Sequence, residues 1–119
     1  MSKPYVVGID VGGTNTVFGI VDARGNVLAS GSIKTAKHAA IEDYIDELHT
    51  VLSKLIEAND AVDKIAGIGI GAPNANYFTG VIADGVNLPW PTPIPLADLV
   101  SNKFGIPVAI TNDANAAAI

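Results

Sequence analysis

The chain has 119 residues, of which 49% are hydrophobic and 16% charged, with a formal net charge of −5 and no cysteine. This length and composition favour one globular domain with a core of its own, and they exclude intrinsic disorder. Disulfides and thiolate metal sites are excluded within these residues, while the acidic balance and the lack of long apolar runs give no footprint for nucleic acid or membrane.

The first third of the chain predicts an antiparallel meander of three strands. Residues 4–11, PYVVGIDV, are short, apolar and rich in β-branched side chains, which predicts a strand buried on both faces. Residues 15–22 and 27–34 predict the second and third strands, with Gly25 and Asn26 suited to the turn between them.

A helix, a strand and a long loop follow the meander. Apolar residues recur at spacings of three and four over residues 39–58, which predicts an amphipathic helix that stops at Asn59. Residues 64–71, KIAGIGIG, predict a buried strand whose glycines permit close packing. Residues 72–95 predict a proline-stiffened loop, and a loop of this length in a compact domain is usually functional or partly structured.

The last segment repeats the alternation. LADLVSNKF predicts a short helix that ends at Gly105, IPVAIT predicts a buried strand, and NDANAAAI predicts the start of another helix. Because the chain stops inside that helix without a cap, we expect it to be the N-terminal part of a longer protein. The order βββαβαβα implies an α/β fold, with a mixed five-stranded sheet and helices on its faces.

Four motifs occur in order: GIDVGGTNT, GIGIGAPN, NLPW and ITNDANAAA. Together with the element order they resemble the ROK family of sugar kinases and sugar-responsive repressors, whose fold is actin-like (ribonuclease H-like). The resemblance covers residues 1–119 and implies the nucleotide-phosphate and sugar-binding N-terminal domain, with the active site completed by a second domain. Two features depart from the family pattern. Asn74 stands where many members have glycine followed by an acid, and the zinc-binding Cys/His motif is absent, so a structural zinc is possible only in the second domain.

The first turn has the residue types that a bound triphosphate needs. Gly12 and Gly13 leave backbone N–H groups open to phosphate oxygens, and Thr14 and Asn15 add side-chain donors. Asp10 is suited to hold Mg²⁺, through water, because magnesium favours carboxylate and keeps part of its hydration shell. The alternative is an ordinary capped hairpin turn. A dinucleotide-binding turn is disfavoured because a strand, and not a helix, follows.

The resemblance implies roles for residues in the later motifs. Asp113 would be the catalytic base that takes the proton of a sugar hydroxyl, although it or Asn112 could simply cap the last helix. Asn112 and Asn87 would bind sugar hydroxyls, which an amide can both donate to and accept from. Gly71 would let the sugar approach the backbone, or else serve close strand packing. Trp90 would cover a sugar face or anchor the loop in the core.

These assignments imply an ATP- and Mg²⁺-dependent sugar kinase of carbohydrate metabolism and glycolysis, which converts a hexose, glucose first, to its 6-phosphate. The fragment alone is expected to be inactive. Polyphosphate as donor, and fructose, mannose or amino sugars as acceptors, stay open. The alternatives are a ROK-type transcriptional regulator, whose DNA-binding domain would precede the first strand, and a non-catalytic actin-like nucleotide-binding module. We expect a cytoplasmic protein with small-molecule partners, no nucleic acid or membrane partner, and a parent that forms a homodimer.

Overall fold

The computed structural model describes residues 3–37, 39–73, 75–76, 78–82, 88, 90–91 and 93–111. Its strands are β1 (Tyr5–Val11), β2 (Asn15–Val21), β3 (Val27–Lys34), β4 (Ile65–Gly71) and β5 (Val108–Thr111), and its α-helices are α1 (Ile41–Ala58) and α2 (Leu96–Phe104). A 3₁₀ turn, Thr35–Lys37, joins β3 to the segment before α1. The strands and α-helices lie within two residues of the predicted bounds, the 3₁₀ turn was not predicted, and the predicted last helix lies outside the described residues.

The strands form one mixed sheet in the order β3-β2-β1-β4-β5. The pairs β1–β2 and β2–β3 are antiparallel, whereas β1–β4 and β4–β5 are parallel. The carboxyl ends of β1, β4 and β5 therefore lie along one edge of the sheet. Open α/β sheets bind ligands at this edge, so it is the first place to look for a site.

Both described helices pack on the same face of the sheet. Alternate residues of β1, namely Val7, Ile9 and Val11, are buried against them in one apolar core. The opposite side of β1 is open in the described part of the chain, where Val6 is 45% exposed. The prediction that β1 is buried on both faces is therefore wrong for these residues, because a β-branched run suits a one-sided strand of a mixed sheet equally well.

The helix boundaries follow from local chemistry. Glu42 and Asp43 in the first turn of α1 complement the positive end of the helix dipole. The Asn59 side chain donates to the Leu55 carbonyl oxygen at 2.8 Å, which satisfies one of the last carbonyls of α1. Gly105 ends α2 as predicted, and it does so in the left-handed conformation, with φ 67°.

The described parts of the 72–95 loop are held by short β-bridges. Ile82 and Ile94 exchange backbone hydrogen bonds of 2.8 and 3.0 Å, and both side chains are buried. Gly80, at φ 71°, accepts a 3.1 Å bond from the Ala97 N–H and so docks the loop on α2. No helix in the described part of the chain is long and apolar enough to cross a membrane.

Candidate functional site

The carboxyl ends of three strands bring Asp10, Gly71 and Thr111 into one row. In the parallel registers Asp10 lies beside Gly71, and Gly71 lies beside Thr111. Two strand spacings separate Asp10 from Thr111, which is roughly 10 Å between Cα atoms. Asp10 is exposed on the open face of the sheet. Its neighbour Gly71 adds no side chain to the row and is itself buried.

The turn after Asp10 closes on a backbone contact that only glycine fits. The Gly12 N–H donates to the Asn15 carbonyl oxygen at 3.0 Å. A Cβ at position 12 would lie 2.8 Å from that same oxygen, inside any real Cβ contact. Glycine is thus needed here for the close approach of two backbone segments. The structure differs from expectation in one respect: the Gly12 N–H is already used within the hairpin and is not open to phosphate.

The next two residues carry the open donors of the turn. In the described part of the chain no acceptor is recorded for the Gly13 or Thr14 N–H. Thr14 and Asn15 are exposed and Gly13 is half-buried. The Thr14 carbonyl oxygen accepts a 2.9 Å bond from the Thr35 N–H, so the turn is fixed from the β3 side. This leaves a small cradle of N–H groups beside the Asp10 carboxylate.

Three buried hydroxyls lie directly beneath this turn. The Thr16 Oγ1 lies 2.7 Å from the Thr35 Oγ1 and 2.6 Å from the Tyr44 hydroxyl. All three residues are 0% exposed. Burial raises the pKa of Tyr44 to about 12, an effect that the hydrogen bond between Tyr44 and Thr16 opposes. The phenol is therefore a neutral hydrogen-bonding group at physiological pH.

Sequence reasoning missed this hydroxyl cluster. Its one detectable signal is the alternation of β2, in which Thr16 shares the inward face with Phe18 and Ile20. A threonine at an inward position needs a buried partner. The partners lie 19 and 28 residues away, a separation that local patterns do not span.

The loop tryptophan is part of the core. Trp90 is 4% exposed, and its ring centroid lies 4.5 Å from that of Tyr44, at an interplanar angle of 44°. This burial favours the interpretation of Trp90 as an anchor of the 72–95 loop. Tyr44 thus contacts the loop through its ring and the hydroxyl cluster through its oxygen.

Comparison with known proteins decides the family. A model of the ROK family matches residues 6–119. The chain belongs to the ROK family. A glucokinase of Streptomyces coelicolor is 32% identical to the ROK chain, over 94% of this chain and 33% of its own length. A putative xylose repressor of Caldicellulosiruptor sp. is 30% identical over 96% of this chain and 29% of its own length.

The same relationship holds in three dimensions. The crystal structure of a ROK family glucokinase from Streptomyces griseus, in complex with glucose and AMPPNP, matches this chain with a TM-score of 0.79 and 30% identity, over 96% of this chain and 35% of that one. The predicted family and the predicted actin-like fold are thereby confirmed. The ROK chain spans about a third of the length of the curated relatives it matches.

The ROK chain offers a fitting but sparse set of ligands for magnesium. Within the described ranges no three of the His, Asp and Glu side chains converge on a possible metal site. Asp10 is an exposed carboxylate that precedes a turn with two N–H groups that have no acceptor in the described residues. This donor set fits Mg²⁺, which is commonly held by one or two carboxylates, several waters and the phosphates of a nucleotide.

Several predicted site residues lie outside the described part of the ROK chain. Asn87, Asn112 and Asp113 are among them, as is Asn74. Thr111, the last described residue, ends β5 at the same edge of the sheet as Asp10. The structure therefore brings together Asp10, the turn and Gly71, and the proposed sugar ligands and base stay predictions.

Proposed function

We propose that this chain is the N-terminal domain of an ATP-dependent sugar kinase, which transfers the γ-phosphoryl group of ATP to a hexose hydroxyl. The proposal places glucose first among the acceptors. The observation that carries it is the row at the carboxyl edge of the sheet. There an exposed carboxylate, Asp10, stands beside a turn with two open N–H donors, in a chain of the ROK family.

The turn would hold the phosphates of the nucleotide. Phosphoryl transfer is catalysed mostly by positioning and by charge stabilisation, and backbone donors preorganised toward phosphate oxygens supply both. Gly13 and Thr14 would donate their N–H groups, and Thr14 and Asn15 would add side-chain donors. Gly12 would act indirectly, by allowing the turn to close. Mg²⁺ held near Asp10 through water would neutralise charge on the transferring group.

The end of β5 and the loop would hold the sugar. In the proposal Asp113, two residues beyond Thr111, takes the proton from the attacking hydroxyl as that oxygen meets the γ-phosphate. Asn87 and Asn112 would exchange hydrogen bonds with other sugar hydroxyls. Gly71, between Asp10 and Thr111 in the row, would leave room for the sugar beside the sheet edge.

A sugar-responsive regulator is the second candidate. The 30% identity to a putative xylose repressor supports it, since that relative matches nearly the whole chain. A regulator of this kind would bind a sugar without turning it over. A measurement of catalysis therefore distinguishes the kinase from the regulator, whereas a measurement of sugar binding does not.

The test uses the full-length protein. Release of ADP from Mg-ATP is measured across glucose, fructose, mannose and their N-acetylated amines, with polyphosphate as a second donor. Formation of the sugar phosphate is measured in parallel. Turnover of one sugar supports the kinase and identifies its acceptor. Sugar binding with no turnover from either donor would contradict the kinase and favour the regulator.

A further inference from the structure

The hydroxyl cluster of Thr16, Thr35 and Tyr44 joins three elements through buried side chains, whereas the ion pair of Lys37 with Glu47, which also links the 3₁₀ turn to α1, lies at the surface. Thr16 lies on β2, Thr35 begins the 3₁₀ turn after β3, and Tyr44 lies in the first turns of α1. Thr16 contacts both partners, at 2.7 and 2.6 Å. Because one oxygen serves both contacts, the three side chains are oriented as a unit.

This unit is connected to the glycine-rich turn at two points. Thr35 donates its backbone N–H to the Thr14 carbonyl oxygen, at 2.9 Å. Thr16 follows Asn15, whose carbonyl oxygen accepts the Gly12 N–H. The bond between the Thr16 and Thr35 hydroxyls therefore links the residue that follows Asn15 to the residue whose N–H fixes Thr14.

The cluster is not required by burial alone. Apolar side chains of the same shape fill such positions at little or no cost in stability when all partners are replaced together. Hydroxyls instead impose a direction and a distance on the segments that carry them. A need for fixed backbone geometry above this layer explains why three polar groups are buried there.

We propose that Thr16, Thr35 and Tyr44 are positioning residues of the phosphate site, which hold the turn of residues 12–15 in the form that presents its open N–H donors. The inference rests on the proposed kinase function for its kinetic consequence, and on the geometry alone for its structural one. The Tyr44 ring also packs against Trp90, a residue of the 72–95 loop to which the proposed sugar ligand Asn87 belongs in sequence.

The hydroxyl and the ring of Tyr44 have different contacts, so their removal should have different effects on the kinetics. Removal of the hydroxyls loosens the turn and should raise the KM for ATP with little change in the KM for sugar. Replacement of the ring by a smaller side chain, as in Tyr44→Leu, also removes the support of Trp90 and should raise the KM for sugar as well. A purely structural role would change the amount of folded protein and leave both constants alone.

The decisive variant removes all three hydroxyls at once: Thr16→Val, Thr35→Val and Tyr44→Phe in the full-length protein. No buried hydroxyl of the cluster is then left without a partner, so the variant is expected to fold. We expect its KM for ATP to rise about tenfold and the Gly12 amide to exchange with solvent about tenfold faster, because the turn opens more often. A variant with Thr16→Ser and Thr35→Ser and with Tyr44 intact keeps the hydroxyls. Its KM for ATP and its Gly12 amide exchange rate should therefore equal those of the wild-type protein.

Thr50→Val is the matched control. Thr50 lies on α1 and donates its hydroxyl to the Asp46 carbonyl oxygen at an exposed position, so its loss should leave both readouts unchanged. Unchanged exchange of the Gly12 amide in the triple variant would overturn the inference, whatever the activity. Absence of turnover in the wild-type protein would overturn the proposed function instead, and the exchange measurement would still decide whether the cluster holds the turn.

Discussion

At the scale of single residues, the site depends on which polar groups are left without a partner among the described residues and can contact a ligand. Asp10 is exposed and alternates with Ile9 and Val11, which are buried, so the strand itself directs the carboxylate away from the core. Gly12 has its N–H in a bond and no room for a Cβ. One glycine of the pair therefore shapes the turn, and the open donors come from the two residues after it.

Replacement of Gly12 by alanine should disable the turn. The new Cβ would lie 2.8 Å from the Asn15 carbonyl oxygen, so the hairpin must open by several tenths of an ångström. We expect Gly12→Ala to lower kcat/KM for ATP by at least about tenfold, because binding of a phosphate depends on donor placement. Steady-state kinetics of the full-length protein measure this.

Gly25→Ala is the control for lost stability. Gly25 has a φ of 86° in the turn between β2 and β3, so alanine is strained there by about 1 kcal/mol. This turn lies at the other end of β2 from the site. If Gly25→Ala lowers kcat/KM as much as Gly12→Ala does, stability and not the turn explains the effect.

The Tyr44 phenol should ionise only at high pH. Its pKa is raised from 10.0 to about 12, mainly by burial, so the unfolded chain releases this proton at a lower pH than the folded chain. Below pH 10 both states keep the proton; above it only the unfolded state loses it, and stability falls by about 1.4 kcal/mol per pH unit until the folded pKa is reached.

Tyrosinate absorbance and chemical unfolding check this between pH 10 and 12. Tyr44→Phe should remove the late-titrating tyrosine and the corresponding part of the loss of stability. If the tyrosinate signal that is lost in Tyr44→Phe titrates near pH 10 in the wild-type protein, this phenol is not buried as described.

At the scale of elements, the loop is tied to the domain by close backbone contacts. Gly80 combines a φ of 71° with a space in which a Cβ would lie 2.7 Å from the Ala97 Cβ. Gly105 has a similar φ of 67° but open space around it. Alanine variants at the two positions therefore distinguish the cost of backbone strain from the cost of steric crowding.

Gly80→Ala should destabilise the protein more than Gly105→Ala. Strain in the left-handed region costs about 1–2 kcal/mol at either position. Overpacking against α2 adds about 1–3 kcal/mol at position 80 only. Denaturant unfolding measures the difference, and Ala97→Gly in the Gly80→Ala background should recover the crowding part. Equal losses for Gly80→Ala and Gly105→Ala would contradict the close docking of the loop on α2.

At the scale of the whole molecule, sheet topology creates the candidate site. The meander places Asp10 and its turn at the edge of the sheet, and two parallel crossovers return Gly71 and Thr111 to the same edge. No one segment of the sequence contains this arrangement. It arises because parallel strands share the direction in which their carboxyl ends point.

The sequence predicts local features well and long-range contacts poorly. The bounds of α1 and the stop at Gly105 follow from spacing and backbone conformation within a few residues, and the mixed five-stranded sheet follows from the order of the elements and the recognised motifs, whereas the strand order β3-β2-β1-β4-β5 comes from the structure. The one-sided burial of β1 and the bond between Thr16 and Tyr44 depend on which face the helices cover. Such contacts join residues far apart in the chain and leave no periodic signal.

The central proposal is that phosphoryl transfer to a sugar takes place at this edge of the sheet in the full-length protein, with Asp113 as the base. The most direct measurement is the rate of sugar phosphate formation by the full-length protein with Asp113→Asn, beside Asp98→Asn on an exposed part of α2 as control. We expect Asp113→Asn to lower kcat by at least about a hundredfold, because a general base contributes that much, with the KM for ATP nearly unchanged. Asp98→Asn should match the wild type. Full turnover by the Asp113→Asn protein would contradict the account.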